Sequence, residues 1–329
     1  MKKINIILLG YGRVGQAFIR LVQEKKDFCI ERYDLQIRIG VVLNSRGGLT
    51  PDPDKQNFEE LSYWKSGLGV QEALESQEPG ILVDCTPSNI QDGAPALGYT
   101  HLALDRGWHV VTANKGPLVV DFDSIRKKAD KNKLYLGMSG ATAAALPTLD
   151  VALHSLAGSE IHCIEGILNG TTNYMLTRMN EGKDYSSALE EAQLKGFAEP
   201  DPSQDVGGWD TAAKILIITN ATFGRSYTLQ DIHVEGITNI PLELREKARE
   251  TGKVIKLIGR FTQNDKVPQL ETRLSLIDPS HPLYGVDGAQ KGITFFTDTM
   301  DSVTVTGGKS DPKGAAAALL KDIINIYIG

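Results

Sequence analysis

The sequence predicts an α/β protein in two parts: a doubly wound parallel sheet of Rossmann type, followed by a second, α+β domain. Three observations carry this. Short apolar runs alternate with helical patterns up to Gly137, a glycine motif stands between the first run and the first helix, and beyond Gly137 the order of elements loses that regularity. At 329 residues the chain is longer than a single core usually supports, so two domains are expected.

Ile4 to Leu9 is an apolar run suited to a buried parallel strand. It leads into Gly10, Tyr11, Gly12, Arg13, Val14 and Gly15, and then into a helical pattern through Phe18, Leu21 and Val22. That is GxGxxG between strand and helix, a dinucleotide-binding arrangement. The first glycine permits a tight turn, the second lets the backbone approach a pyrophosphate, and the third lets helix and strand pack closely. The helix N-terminus then faces the phosphates. An incidental glycine turn is the bland alternative.

A second strand, Leu35 to Leu43, should end near the adenosine ribose. A site that prefers NAD usually places an acid there, whereas this chain reads Asn44, Ser45, Arg46. Arginine would pair with a 2′-phosphate, so NADP is expected to be preferred, with NAD possible, through Arg46 and Ser45. Otherwise Arg46 is a loop charge. The polar segment from Pro51 to Leu68 is expected to cover the cofactor as loop and helix. Strands at Ile81–Cys85 and Trp108–Thr112 flank a helix at Pro95–Arg106. Ligands of such sheets bind at strand carboxyl ends, which here offer Thr86, Pro87 and Ser88 after one strand and Ala113, Asn114 and Lys115 after the next. Lys115 is either an ordinary loop lysine or a cofactor-side group. A helix over Asp121–Lys131 and a strand over Leu134–Gly137 complete this part.

The small-residue stretch Met138–Pro147 suits close backbone approach or an interdomain hinge. After it come a helix at Pro147–Leu156, a strand at Ile161–Leu168, the turn Asn169-Gly170, and helices through Leu176 and Leu189. Gly196 to Lys214 then packs Glu199, Asp201, Asp205 and Asp210 into a Pro- and Gly-rich turn ending in one lysine. Clustered carboxylates repel one another, and a polar substrate pocket explains them better than a core segment does. A helix from Trp209 puts Asp210 and Lys214 four apart on one face. As a surface pair they would contribute roughly 0.3–0.5 kcal/mol. Yet Ile215 to Ile218 make the helix apolar on every side, and a lysine entering a buried helix suits a proton donor. Strands at Val254–Phe261 and Val267–Ile277 flank an Asn264-Asp265 turn, and an open sheet face could pair with its copy in a homodimer. The segment Ser302–Thr306 and the helix after it, through Leu320 and Ile324, are expected to return to the first domain. The domains are therefore drawn as 1–137 with 306–329 for dinucleotide binding, and 138–305 for substrate binding, catalysis and dimerisation.

Composition narrows the function classes. The chain is 41% hydrophobic and 23% charged, as in ordinary soluble proteins. A formal charge of −6 argues against a general nucleic-acid binder. The basic group Arg126, Lys127, Lys128, Lys131 and Lys133 lies among aspartates on a helix and reads as a solvated face. Cys29, Cys85 and Cys163 are far apart and odd in number, which fits reduced thiols in a cytoplasmic protein. No HxxxH or CxxC spacing supports zinc, the N-terminal apolar run is too short for a signal peptide, and no stretch could span a membrane.

Four blocks carry a family resemblance: GYGRVG, VVTANKGPL at Val110–Leu118, GILNGTTNYML at Gly166–Leu176, and GFAEPDPSQDVGGWDTAAK. Through nearly its whole length the chain resembles homoserine dehydrogenase, and GTTNY combined with EPDP and D-x-x-x-K makes the match specific. The resemblance implies NAD(P)-linked interconversion of homoserine and aspartate semialdehyde in threonine and methionine biosynthesis. It implies Lys214 as proton donor and Lys115 as a second lysine at nicotinamide and substrate. It implies Glu199 and Asp210 as substrate carboxylates, Gly170 and Thr171 lining the same pocket, and Gly196 near the cofactor. Which lysine delivers the proton stays open. Two positions depart from the family. Ser139 stands where a Glu usually helps bind a monovalent cation, so no metal is expected, and GxGAG near the end reads Gly307, Gly308, Lys309, Ser310, Asp311, with Gly307 the expected contact. No ACT or aspartokinase extension follows, so feedback inhibition by threonine through one is not expected. The rival readings are a related dehydrogenase acting on another amino acid or semialdehyde, separable by a substrate panel, and a non-catalytic dinucleotide sensor, which would need a damaged catalytic set.

Overall fold

Runs of two to ten residues become the strands of two sheets in the computed structural model, which describes residues 1–50, 64–65, 67–263, 269–308 and 311–328. The Asn264-Asp265 turn and most of the Pro51–Leu68 segment lie outside the described residues. The chain forms two compact units, Met1–Ala144 with Asp311–Gly329, and Ala145–Ser310.

In the first unit the elements run β1 (Lys2–Leu9), α1 (Arg13–Glu24), α2 (Lys26–Tyr33), β2 (Leu35–Asn44), β3 (Gly47–Leu49), α3 (Val70–Glu75), β4 (Ile81–Asp84), α4 (Ala96–Asp105), β5 (His109–Thr112), α5 (Gly116–Val120), α6 (Phe122–Lys131), β6 (Leu136–Gly137) and α7 (Ser139–Thr142). The strand order is β3-β2-β1-β4-β5-β6, parallel except for the edge hairpin β2–β3. Alternate residues of β1 feed two cores. Ile4, Ile6 and Leu8 pack with Phe18, Leu319 and Ile323, while Ile7 and Leu9 pack with Leu104, Trp108 and Ile125. Helices on both faces are what an apolar parallel strand requires, and they make the sheet doubly wound.

The second unit opens with a π-helical turn at Val151–Ser155, where a regular helix over Pro147–Leu156 was expected; the wider turn brings the Leu156 amide to the Val151 carbonyl at 3.0 Å. Then come β7 (Ile161–Ile167), α8 (Gly170–Asn180), α9 (Tyr185–Leu194), α10 (Ser203–Val206), α11 (Trp209–Phe223), β8 (His233–Val234), α12 (Leu242–Thr251), β9 (Val254–Thr262), β10 (Gln269–Ile277), β11 (Lys291–Thr297) and β12 (Ser302–Gly307). The sheet runs β12-β11-β7-β9-β10-β8 and is antiparallel but for β8. Ile255 and Leu257 of β9 meet Met175 and Leu176 of α8 and Ala188 and Ala192 of α9 in its core.

One expectation is corrected. The strand at Ser302–Thr306 does not join the first sheet; it pairs antiparallel with β11. Residues 298–301 are too short a link for the helical crossover a parallel strand needs, so the chain turns back as a hairpin. Only the last helix, α13 (Pro312–Ile328), belongs to the first unit, where Leu319 and Ile323 enter its core. Asp311 caps it, its carboxylate accepting the Gly314 amide at 2.6 Å.

Candidate active site

The glycine loop after β1 is built from main chain. Gly10 has φ 92°, and a Cβ on it would lie 2.5 Å from the Cys85 carbonyl oxygen; a Cβ on Gly15 would lie 2.1 Å from that of Gly10. Both positions exclude a side chain for the sake of the protein's own packing. Gly12 differs: among the described residues a Cβ there would meet nothing within 4 Å. At the start of α1 no side chain among the described residues caps the helix amides, and exposed Arg13 and half-buried Val14 begin the first turn. A cradle of backbone amides at a helix start fits a nucleotide's phosphates. Ser45 and Arg46 are exposed in the turn between β2 and β3, where the Arg46 amide donates to the Asn44 side chain at 2.7 Å.

At the carboxyl ends of β4 and β5 the polar residues are joined. Asn114, 1% exposed, donates through Nδ2 to the Thr86 hydroxyl at 2.9 Å and to the Pro87 carbonyl at 3.1 Å. Lys115 follows, its amide donating to the Ser88 hydroxyl at 3.0 Å. Two loops from neighbouring strands are thereby tied together beside a lysine.

In the second unit, Lys214 on α11 is held twice. Its ammonium donates to Asp210 Oδ2 at 2.5 Å and to the Leu168 carbonyl at 2.9 Å, and the two side chains are 16% and 13% exposed. Asn169 caps α8 by accepting the Thr172 amide at 2.8 Å, while its Nδ2 reaches Asp205 at 2.6 Å and Asp210 at 2.8 Å. One amide thus bridges two carboxylates that would otherwise repel. Burial, and then the charge of Asp210, raise the Asp205 carboxyl above its ordinary range, against the Asn169 bond. An ammonium has three N–H groups, and among the described residues the third on Lys214 has no partner.

Gly170 and Thr171 form the first turn of α8, and the Thr171 hydroxyl donates to the Phe197 carbonyl at 2.6 Å, fixing the loop that follows α9. Gly196 enters that loop at φ 75°. Glu199 is exposed on it, and among the described residues no hydrogen bond joins its carboxylate to the cluster around Lys214. Gly307 has φ 117°, and beside it Gly308 has φ 69° and passes so close to the chain at Leu146 that a Cβ would lie 2.7 Å from its nitrogen. Lys309 lies outside the described residues. Ser139 is engaged within the first unit. Its amide and hydroxyl donate to the buried Asp322 carboxylate at 2.9 and 2.7 Å, and the Lys321 ammonium donates to its hydroxyl at 2.8 Å. Among the described residues no group of three or more His, Cys, Asp or Glu could hold a metal ion, and no helix is long and apolar enough to cross a membrane.

With this geometry in hand, comparison with known proteins is specific. A family model described as homoserine dehydrogenase matches residues 147–324, and one described as homoserine dehydrogenase, NAD binding domain, matches 10–137. The chain belongs to the homoserine dehydrogenase family. The homoserine dehydrogenase of Methanocaldococcus jannaschii is 34% identical, over 98% of both chains. The NAD(+)-dependent homoserine dehydrogenase of Pseudomonas canavaninivorans is 32% identical, over 99% of this chain and 97% of that one. The crystal structure of a putative homoserine dehydrogenase from Archaeoglobus fulgidus superposes with a TM-score of 0.87 at 32% identity, covering 99% of this chain and all of that one.

For a homoserine dehydrogenase, two members of the Lys214 cluster escape a reading of the sequence. Asp205 stands out there only as one carboxylate among several, and Asn169 only as a turn residue. The signal for Asn169 is its place directly before a helix, where an Asn side chain accepts an amide and leaves its NH2 to point elsewhere.

Proposed function

We propose that the chain interconverts L-homoserine and L-aspartate 4-semialdehyde, with Lys214 as the proton donor in the direction of aldehyde reduction. Bound NAD(P)H supplies the hydride to the carbonyl carbon. As that carbon is reduced its oxygen gains negative charge, and the third N–H of Lys214 stabilises and then protonates it. Asp210 holds the lysine aimed, with Asn169 keeping Asp210 in place. Asp205 and Glu199 supply negative charge for the substrate ammonium, and Lys115 serves as a second positive charge at the reacting end. The observation that carries this reading is the Lys214 ammonium clamped between the Asp210 carboxylate and the Leu168 carbonyl with one donor left over.

The cofactor is held by the first unit: Gly10, Gly12, Arg13, Val14 and Gly15 at the phosphates, and Thr86, Pro87, Asn114 and Lys115 toward the nicotinamide, with Gly196 and Gly307 as further contacts. NADP is preferred through Arg46 and Ser45, although the Pseudomonas relative is named for NAD(+). Copies of the chain pair through the polar face of the second sheet, where Arg260 donates to Glu165 at 2.6 Å, and the enzyme works in the cytoplasm. Absorbance of the reduced cofactor, followed with homoserine and with each oxidised nucleotide, tests the reading. Homoserine-dependent reduction that is faster with NADP is expected, and no reduction with either nucleotide would overturn it.

A further inference from the structure

Asp84 ends β4 at 2% exposure, and no step above uses it. Its Oδ1 accepts the Thr86 amide at 2.8 Å and the Thr86 hydroxyl at 2.6 Å, while Oδ2 is buried without a hydrogen-bond partner. Burial pushes its carboxyl up to about 6 in spite of those bonds. A group that merely tied down the loop would not need a charge, since an amide oxygen could accept the same two bonds. What an ionised carboxylate adds is that it can only accept.

That property sets a direction. The single Thr86 hydroxyl proton is committed to Asp84, which leaves its lone pairs for Asn114 Nδ2, 2.9 Å away. The same NH2 donates to the Pro87 carbonyl, so Asn114 Oδ1 must turn to the Gly116 amide, which it accepts at 2.8 Å. Gly116 is the first residue of α5. Lys115 therefore stands between two residues whose bonds have one possible polarity, with its own amide on Ser88.

We propose that Asp84 is a positioning residue for this reaction: as the acceptor-only root of the series Asp84–Thr86–Asn114–Gly116, it fixes the stretch of chain that carries Lys115. The inference rests on the role given to Lys115 above. Without the Thr86 hydroxyl, Asn114 would keep its bonds to the Pro87 carbonyl and the Gly116 amide but lose its tie to Asp84, the start of α5 would loosen, and Lys115 would shift. Displacement of a positioned group by about 1 Å costs on the order of 100-fold in rate.

The test compares Thr86→Val, which keeps the shape and removes the hydroxyl, with Thr86→Ser, which restores it. Steady-state kinetics with homoserine, the NADPH Kd from nicotinamide fluorescence, and amide hydrogen exchange of the cofactor-free protein over residues 113–118 are measured on each. Thr86→Val is expected to lower kcat at saturating NADPH by about 30- to 100-fold, well beyond whatever it loses in NADPH affinity as a cofactor contact, with Gly116 exchange accelerated. Thr86→Ser should recover wild-type exchange and kcat to within about threefold. Asp84→Leu should reproduce Thr86→Val, and Thr86→Ala takes its place if either protein fails to fold. A kcat near wild type in Thr86→Val, a loss matched by weaker NADPH binding, or unchanged exchange would each overturn the proposal. Wild-type protein inactive on homoserine would instead remove the underlying reading and leave the exchange result standing by itself.

Discussion

Gly10 and Gly15 in the first unit lack side chains because carbonyl oxygens of Cys85 and Gly10 stand where a Cβ would go; Asn169, Asp205, Asp210 and Lys214 in the second are joined atom to atom through their side chains. What the first unit offers is a shape made by backbone, and what the second offers is a charge pattern made by functional groups. The difference predicts how each fails. A substitution in the backbone half strains the fold or fills the ligand's space, whereas a substitution in the side-chain half removes chemistry from a fold that survives.

Lys214→Ala should give the largest effect. Losing a general acid typically costs 10²- to 10⁴-fold, so kcat is expected to fall by about 10³, with NADPH binding unchanged. The helix should remain, since Ile215 to Ile218 keep its buried contacts. A kcat within about tenfold of wild type would show that Lys214 does not deliver the proton.

Within the backbone half, Gly12→Ala and Gly15→Ala separate the ligand's needs from the protein's. Gly15→Ala drives a Cβ into the Gly10 carbonyl and should lower unfolding stability by about 1–3 kcal/mol in urea titrations. Among the described residues Gly12→Ala meets no protein atom, and Gly12 has an ordinary φ of −83°. Its stability should stay within about 0.5 kcal/mol of wild type while the NADPH Kd rises by about tenfold. Equal losses of stability in the two variants would erase the distinction between cradle and scaffold.

The same contrast governs what could be read from the sequence. GxGxxG is legible because its three roles fall within six residues of one turn. Asp210 and Lys214 are legible because helix geometry places residues four apart together. Asn169 joins Asp205 and Asp210 from a different helix, and no local rule places an N-cap amide against carboxylates that far along the chain. Asp84 is hidden for the opposite reason: it closes an apolar strand, and nothing local says that one of its oxygens will be buried without a partner. The strand at Ser302–Thr306 was placed in the wrong sheet because its partner β11 went unrecognised. Lys291–Thr297 mixes apolar and polar residues without clean alternation, since its residues are buried on both faces of the sheet.

Arg46 offers the smallest effect and the finest test, because here a side chain acts within the backbone half. Its amide is fixed to Asn44 in the turn after β2, but its guanidinium is exposed, so any pairing with a 2′-phosphate forms in high dielectric and is screened by salt. Such a contact is worth about 1–1.5 kcal/mol, or about tenfold in affinity. Arg46→Ala should therefore lower the ratio of kcat/KM for NADPH over NADH by about tenfold at low ionic strength, and by less in high salt. Only the NADPH value should move, since NADH has no phosphate there to lose. If both values fell together, the turn itself would have been disturbed, and if neither moved, Arg46 would be a solvated loop charge and cofactor choice would rest elsewhere.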